Sequence, residues 1–213
     1  MFAPLCSLLA VFGVVCTPKT PCQELSSIDN FNLEQFMSEK WYAHYFRPSP
    51  FQPETQRFCV TAEYSPLDPV KDKESIVNGY LLGVYNVAQD INGSVYTSND
   101  IDPLCAGQGI VPGDKMSELT VGQCNTPVID VSGKSNYWVI AYDEDDGHAL
   151  IASGQPTIPT SEGLCTYSDP FSGVWLLART LNETLTKKYL DIAVSKGIDV
   201  SDLIDVDHEN CSN

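Results

Sequence analysis

The sequence has few basic residues. Only 12 of its 213 residues are Lys or Arg, against 28 Asp and Glu, which gives a net charge of −16 at neutral pH. A surface this acidic repels the phosphate backbone of nucleic acids and the headgroups of anionic lipids. The charge balance therefore excludes nucleic acid as a partner, and its simplest role is to keep the protein soluble.

A long apolar run is also missing. The most apolar segment, residues 2–16 (FAPLCSLLAVFGVVC), is too short to cross a bilayer as a helix, because a span needs about 20 residues. Its length is that of the hydrophobic region of a secretory signal peptide. We predict a signal peptide over residues 1–16, with an uncleaved anchor as the alternative, and no stable membrane span.

No two of the eight cysteines have the C-x-x-C spacing of zinc knuckles or redox dithiols. Cleavage near Cys16 would leave six, an even number that suits three disulfides in an oxidising compartment. Glycosylation sequons begin at Asn92 and Asn182 and agree with secretion. We therefore expect a secreted, disulfide-bonded glycoprotein.

Groups suited to catalysis are scarce. The chain has three histidines, His44, His148 and His208, and no Ser or Cys nucleophile at a recognisable catalytic motif. Each histidine is expected at the surface or a strand edge, with His44 pointing away from the interior. The acidic run at residues 143–146 lacks EF-hand spacing and predicts a solvated hairpin turn. We expect no enzyme activity, no metal and no cofactor.

Short apolar or alternating runs, separated by Gly, Pro, Asn and Asp clusters, fill most of the chain. They predict about eight consecutive antiparallel strands. Their expected positions are Trp41–Arg47, Arg57–Ser65, Ser75–Asn86 with a turn or bulge at Asn78-Gly79, Ser94–Ser98, Met116–Cys124, Tyr137–Asp143, His148–Ser153 and Gly173–Thr180.

After the last strand the apolar spacing becomes that of one amphipathic helix. Residues 180–183 (TLNE) fit a capping box, and Gly197 is placed to end the helix. The tail then alternates like a short strand and ends near Cys211. We expect the strands at about 38–180, the helix at about 181–197 and the tail at 198–213, within one domain over residues 17–213.

Three segments make the sequence resemble the lipocalin family, most closely its apolipoprotein D, bilin-binding and crustacyanin branch. The first lipocalin motif, Gly-x-Trp at the start of the first strand, keeps Trp41 but has Glu39 in place of the Gly. Of the second motif, Thr-Asp-Tyr, only Asp143 is present. The third motif, an apolar strand that ends in Arg, is complete at residues 175–179 (WLLAR). The resemblance implies an all-β fold, an eight-stranded antiparallel up-and-down β-barrel with a C-terminal α-helix.

The resemblance also assigns structural roles. In lipocalins the first-strand Trp closes the base of the barrel and an Arg lies across its indole, here Trp41 and Arg179. Because Gly permits a positive φ that Glu adopts only at a cost, Glu39 predicts a strained entry turn. The implied disulfides are Cys22–Cys165 and Cys59–Cys211, and Cys105 and Cys124 then remain to clamp neighbouring middle strands.

The same resemblance places Tyr64, Asn78 and Trp175 in the wall of a ligand cavity. Alternation along the first and last strands adds Tyr45 and Leu177, which share a face with Trp41 and Arg179. For Tyr64 and Trp175 a purely structural place in the core is an equally open interpretation.

The function implied is extracellular binding and transport of a small hydrophobic ligand, such as a lipid, retinoid, steroid, bilin or carotenoid, by a monomer or weak homo-oligomer. One alternative is a pigment protein that holds its chromophore permanently. The other is a lipocalin-fold enzyme, which would need a free thiol at Cys59 on the second strand.

Overall fold

The fold is a closed antiparallel barrel with a helix packed on its outside. The structure, a computed structural model, describes residues 5–8, 14–17, 20–100, 102–108, 115–130, 136–160, 163–209 and 211, the first two segments through their backbone alone. These two are the strands β1 (Leu5–Leu8) and β2 (Val14–Thr17), which pair antiparallel. The signal peptide over residues 1–16 and the domain division stay predictions.

Eight of the strands form the barrel wall. In chain order the strands are β3 (Trp41–Phe46), β4 (Phe58–Pro66), β5 (Leu82–Gln89), β6 (Val95–Thr97), β7 (Leu104–Gln108), β8 (Glu118–Gln123), β9 (Tyr137–Asp143), β10 (His148–Ala152), β11 (Ile158–Pro159), β12 (Cys165–Thr166), β13 (Val174–Ala178) and β14 (Ile204–Asp205). The wall runs β3-β4-β5-β7-β8-β9-β10-β13, and β13 pairs back with β3 to close it. The short strand β6 pairs with β5, and β14 with β3.

The helices lie at the ends and on the outside of the barrel. They are α1 (Leu33–Met37), α2 (Lys73–Val77) and α3 (Glu183–Ser195), with short 3-10 turns at Glu54–Gln56 and Val128–Asp130. The prediction of an eight-stranded antiparallel barrel with a C-terminal helix is confirmed.

Strand prediction was wrong in the middle of the chain. The first part of the segment 75–86 is the end of α2, and β5 begins only at Leu82. The segment 94–98 contains β6, which lies beside the wall, while β7 was not predicted. Its sequence, LCAGQ, has little β propensity. A Cβ at Gly107 would lie 2.2 Å from the carbonyl oxygen of Gly79, so close backbone approach requires glycine there.

Side chains of the wall form two apolar layers. The inner layer fills the barrel and includes Trp41, Ala62 and Tyr64. The outer layer lies between the wall and α3 and includes Leu150 and Leu176. Because neighbouring residues of a strand face opposite sides, one wall contributes to both layers.

Helix α3 has well-defined signals at both ends. Asn182 caps it, since its side-chain oxygen accepts from the backbone N–H of Thr184 and Leu185. The expected capping box at 180–183 was therefore wrong, because it placed the N-cap at Thr180, two residues too early. Asn is a better N-cap than Thr, and α3 begins at Glu183. At the other end Gly197 has φ +80, and the N–H of Ile198 bonds the carbonyl of Ala193. This is a Schellman motif, with Gly197 ending the helix as predicted.

We expect Asn182→Ala to lower the free energy of unfolding by about 1 kcal/mol, the usual effect of losing a cap. Asn182→Asp should stay near wild type, because its carboxylate also caps and favours the helix N-terminus. Both variants lack the sequon, so any effect of glycosylation cancels between them. Urea denaturation followed by circular dichroism measures the difference, and equal stability of the two variants would contradict the assigned cap.

Candidate ligand-binding site in the barrel

One end of the barrel is closed by Arg179. Its guanidinium carbon lies 3.8 Å from the ring centroid of Trp41. One terminal nitrogen donates to the carbonyls of Gln35 and Phe36 at 3.0 and 2.9 Å, and the other donates to the carbonyl of Glu39. The indole N–H of Trp41 also donates to Phe36. Arg179 thus fastens the end of α1 across the barrel base.

Glu39 is accommodated without the expected backbone strain. Among the described residues, the non-glycine residues with positive φ are Asn30 and Cys59, so the strained entry turn predicted at Glu39 was wrong. The backbone carbonyl of Glu39 accepts a hydrogen bond from Arg179. A Gly at this position would offer the same carbonyl, so the replacement leaves the contact intact. Partial burial lowers the pKa of Arg179, opposed by the nearby carboxylate of Glu39, and the guanidinium remains charged.

The inner wall carries three of the predicted ligand residues. Tyr64, Leu177 and Trp175 all belong to the layer that faces the barrel interior. The hydroxyl of Tyr64 lies 2.7 Å from that of Tyr137, so the two form one polar pair in an apolar surrounding. Burial raises the pKa of Tyr64 to about 12 and that of Tyr137 well above its ordinary value. Both hydroxyls are therefore protonated at neutral pH.

A β-bulge changes the face of Tyr45. Leu177 pairs with Ala43 but Leu176 pairs with Tyr45, so one residue of β3, His44, is extra. Beyond it the alternation is shifted, and Tyr45 packs in the outer layer. The placement of Tyr45 in the cavity was wrong. Phe46 takes the inward position, since it is fully buried and opposes Trp175 across the ladder.

Asn78 lies outside the barrel interior. It is the C-cap of α2 rather than a residue of a strand, and its side-chain amide donates to the carbonyl of Cys124 at 3.1 Å. Its own carbonyl accepts from Val128. Its predicted position in the cavity wall was therefore wrong. The Asn-Gly pair ends a helix there, whereas sequence reasoning extended a strand through it.

The end opposite Trp41, which we call the mouth, includes the loops at residues 47–57 and 167–173. Arg47 joins these two loops: its side chain bonds Asp202 at 2.8 Å and the carbonyl of Ser172 at 2.6 Å. A Cβ at Gly173 would lie 2.2 Å from the Trp175 ring. Because Gly173 has no side chain, the Trp175 indole can lie directly against its backbone. No pattern in the sequence predicts this contact.

Within the part of the chain that the structure describes, three disulfides fasten the outside of the barrel. They are Cys22–Cys165, Cys59–Cys211 and Cys105–Cys124, the same pairs that the resemblance implied. Cys59 has φ 52, and its N–H bonds the carbonyl of Asp207 at 2.8 Å. The tail is thus tied covalently and by the backbone to β4. Asn92 lies exposed in a turn, and whether it or Asn182 carries a glycan stays a prediction.

The three histidines form a row on the outer wall. The ring centroids of His148 and His208 lie 6.1 and 6.2 Å from that of His44. His148 is fully buried and stacks on Tyr189 of α3, so its predicted surface position was wrong. His44 faces outward as expected, with Nδ1 2.7 Å from the Thr186 hydroxyl. Burial lowers the pKa of His44 to about 4, and both neighbouring histidines act in the same direction.

Other places on the described surface are weaker candidates for a ligand site. Two crevices of about 400 and 340 Å³ open outside the barrel. The larger is bordered by Arg179, His208 and the bridged Cys211, and it is more open to solvent than enclosed. Within the described residues, no group of three or more His, Cys, Asp or Glu side chains could hold a metal ion. No helix in that part of the chain is long and apolar enough to cross a membrane.

Solved structures share this fold at low sequence identity. Apocrustacyanin C1 is 13% identical with a TM-score of 0.55, over 90% of this chain and 91% of its own. The allergen Per a 4 from cockroaches is 14% identical with a TM-score of 0.54, over 90% and 98%. Lobster apocrustacyanin A1 is 12% identical with a TM-score of 0.51, over 91% and 93%. No protein-family model and no curated protein sequence matches the chain.

Replacing Arg179 with Ala should lower the free energy of unfolding by about 3 kcal/mol. The change removes a cation–π contact worth about 1 to 2 kcal/mol and leaves backbone carbonyls without their donor. Arg57→Ala is the matched control, because Arg57 forms an exposed ion pair with Asp205 worth less than about 1 kcal/mol. Urea titrations of the two variants and the wild type test this, and a similar loss in both variants would refute the special role of Arg179.

Stability should fall as the pH is lowered from 6.5 to 4 in a way that depends on His44. Its folded pKa is about 4, below the ordinary 6.5, so the unfolded chain binds the proton first and acid favours unfolding. Above pH 6.5 both states are neutral and the effect vanishes. Melting temperatures of wild type and His44→Gln across this range should converge as the pH falls. Parallel curves would show that His44 does not contribute.

Proposed function

We propose that the protein is an extracellular lipocalin-type carrier that binds one small apolar molecule inside the barrel. Its three disulfides support a role in an oxidising compartment. Its apolar inner layer supports a hydrophobic ligand, because burial of apolar surface contributes about 25 cal/mol per Å². Its likeness in fold to apocrustacyanins and a cockroach allergen agrees with the crustacyanin branch.

The observation that carries this proposal is the apolar inner layer of the closed barrel. Every strand of the wall contributes apolar side chains to this layer, and several of them are small, such as Ala62, Ala106 and Ala149. The hydrogen-bonded hydroxyls of Tyr64 and Tyr137 are the polar pair within it. A barrel lined in this way favours an apolar ligand in its interior.

The polar groups of the interior favour a ligand that is apolar but not purely hydrocarbon. Tyr64 and Tyr137 share one hydrogen bond, and two hydroxyls carry two protons. One O–H of the pair is therefore free for a ligand oxygen. A pocket that is mostly apolar, with a few such groups, is the usual form of a small-molecule site.

The two alternative functions differ in what supports them. A thiol-dependent enzyme is disfavoured because Cys59 is bonded to Cys211. A permanent pigment would produce a visible absorption band in natively purified protein, and a colourless preparation would exclude it. Organic extraction of that preparation, followed by mass spectrometry, would identify the ligand directly.

Narrowing the interior should weaken binding. We expect Ala62→Leu to raise the Kd for the apolar fluorophore diphenylhexatriene at least tenfold, because added methylenes compete for the space of the ligand. Thr61→Val is the control, since Thr61 is the neighbouring residue of β4 and faces the other side of the wall. Fluorescence titration measures both. Failure of the wild type to bind the fluorophore, or equal binding by the two variants, would contradict the proposed site.

A further inference from the structure

Strands β3 and β4 separate halfway along the barrel wall. They pair with each other at Trp41 and Tyr42, next to the base. Towards the mouth, where the structure describes both strands completely, residues 43–46 of β3 and 58–60 of β4 form no ladder with each other. Hydrogen-bonded ladders between neighbouring strands close a barrel wall, so another segment must close this half of the seam.

The C-terminal tail lies in this gap. Residues 204–208, which we call the strap, contain β14 and follow the edge of β3 that β4 has left. The N–H of Val206 donates to the carbonyl of His44 at 2.9 Å. The Nε2 of His208 donates to the carbonyl of Ala43 at 2.8 Å. The side chain of Val206 packs against the inner layer, so the strap completes the wall around the interior.

The other side of the strap is bonded to β4. The carbonyl of Asp207 accepts from the N–H of Cys59 at 2.8 Å, and its N–H donates to the carbonyl of Arg57 at 3.0 Å. Asp207 also forms an isolated parallel bridge with Phe58. Two strands that flank a third lie about 10 Å apart, twice the ordinary spacing. With the strap moved aside, the seam would therefore be a slot wide enough for a slender apolar molecule.

Anchors at both ends would allow the strap to move and return. Before it, the carboxylate of Asp202 is bonded by Arg47 at 2.8 Å. After it, Cys211 is bonded to Cys59. The strap itself is half-buried or exposed throughout. Segments with few buried contacts and exposed backbone hydrogen bonds open locally at a lower free energy than the core.

The two ends of the barrel are fastened more firmly near this seam. Arg179 holds α1 across the base, and Arg47 joins two loops of the mouth. Phe51 and Phe171, one on each of these loops, have ring centroids 5.1 Å apart at the rim. A ligand that entered past these residues would have to separate their contacts.

We infer that the strap is a movable part of the barrel wall, and that an apolar ligand enters and leaves the interior through the gap between β3 and β4 that it covers. This inference rests on the proposed binding function and adds a path to it. Because the strap controls the path and not the bound state, fastening it slows binding and release equally and leaves the Kd unchanged.

A disulfide between positions 45 and 205 would fasten the strap to β3. Tyr45 and Asp205 are opposite each other in the ladder. The bond from Val206 to His44 makes them a non-hydrogen-bonded pair, in which the side chains are close enough for a disulfide. Tyr45 packs in the outer layer and Asp205 is exposed, so the crosslink leaves the inner layer unchanged.

Stopped-flow fluorescence with diphenylhexatriene measures the two rates. We expect Tyr45→Cys/Asp205→Cys, with its crosslink verified by mass spectrometry, to bind and release the fluorophore at least tenfold more slowly than Tyr45→Ser/Asp205→Ser. The serine substitutions are the matched control, because they remove the same two side chains without a crosslink. The Kd values of the two variants should agree.

Loosening the strap should have the opposite effect. His208→Ala removes one hydrogen bond to β3, and we expect both rates to rise about fivefold, the equivalent of one net hydrogen bond. Glu209→Ala is the control, since Glu209 is the exposed residue that follows the strap. It should leave both rates at the wild-type values.

The outcomes separate the path from the site. Equal rates in the crosslinked variant and its control, or wild-type rates in His208→Ala, would overturn the path and leave the binding function standing. A changed Kd without matching changes in both rates would also overturn it, by showing that the strap only shapes the site. Failure of the wild type to bind the fluorophore would overturn the proposed function itself, and this inference with it.

Discussion

The contact between Arg179 and Trp41 is the constraint on which the rest of the barrel depends. It joins the last strand of the wall to the first, where the sheet closes, and it bonds the carbonyls at the end of α1. One planar guanidinium can do both, because its face stacks on the indole while its edge donates to oxygens. The base of the barrel is thereby fixed by a single side chain.

A second arginine has the corresponding position at the mouth. Arg47 follows β3 directly and bonds Asp202 and the backbone preceding β13. Strands β3 and β13 are therefore joined by an arginine at both ends, in addition to their ladder.

The sequence located the residues that belong to recognisable motifs. It misplaced residues whose position depends on strand register or on where a helix ends. The contact between Trp41 and Arg179 and the cysteine pairs were implied by the resemblance to lipocalins, and the structure contains them. Tyr45 was misplaced because one extra residue in a strand turns every later side chain to the other face. The extra residue, His44, carries no local signature of a bulge. Asn78 was misplaced because a strand was extended through the end of helix α2.

The proposed function requires an interior with room for a ligand. Such unfilled volume costs stability, because its lining loses packing contacts. The fully buried outer layer beneath α3 offsets this, as do three disulfides that restrict the unfolded chain. His44 faces outward and lies against Thr186 of α3, so acid that protonates His44 weakens the docking of this helix. With the proposed function, stability and binding would belong to opposite faces of one wall.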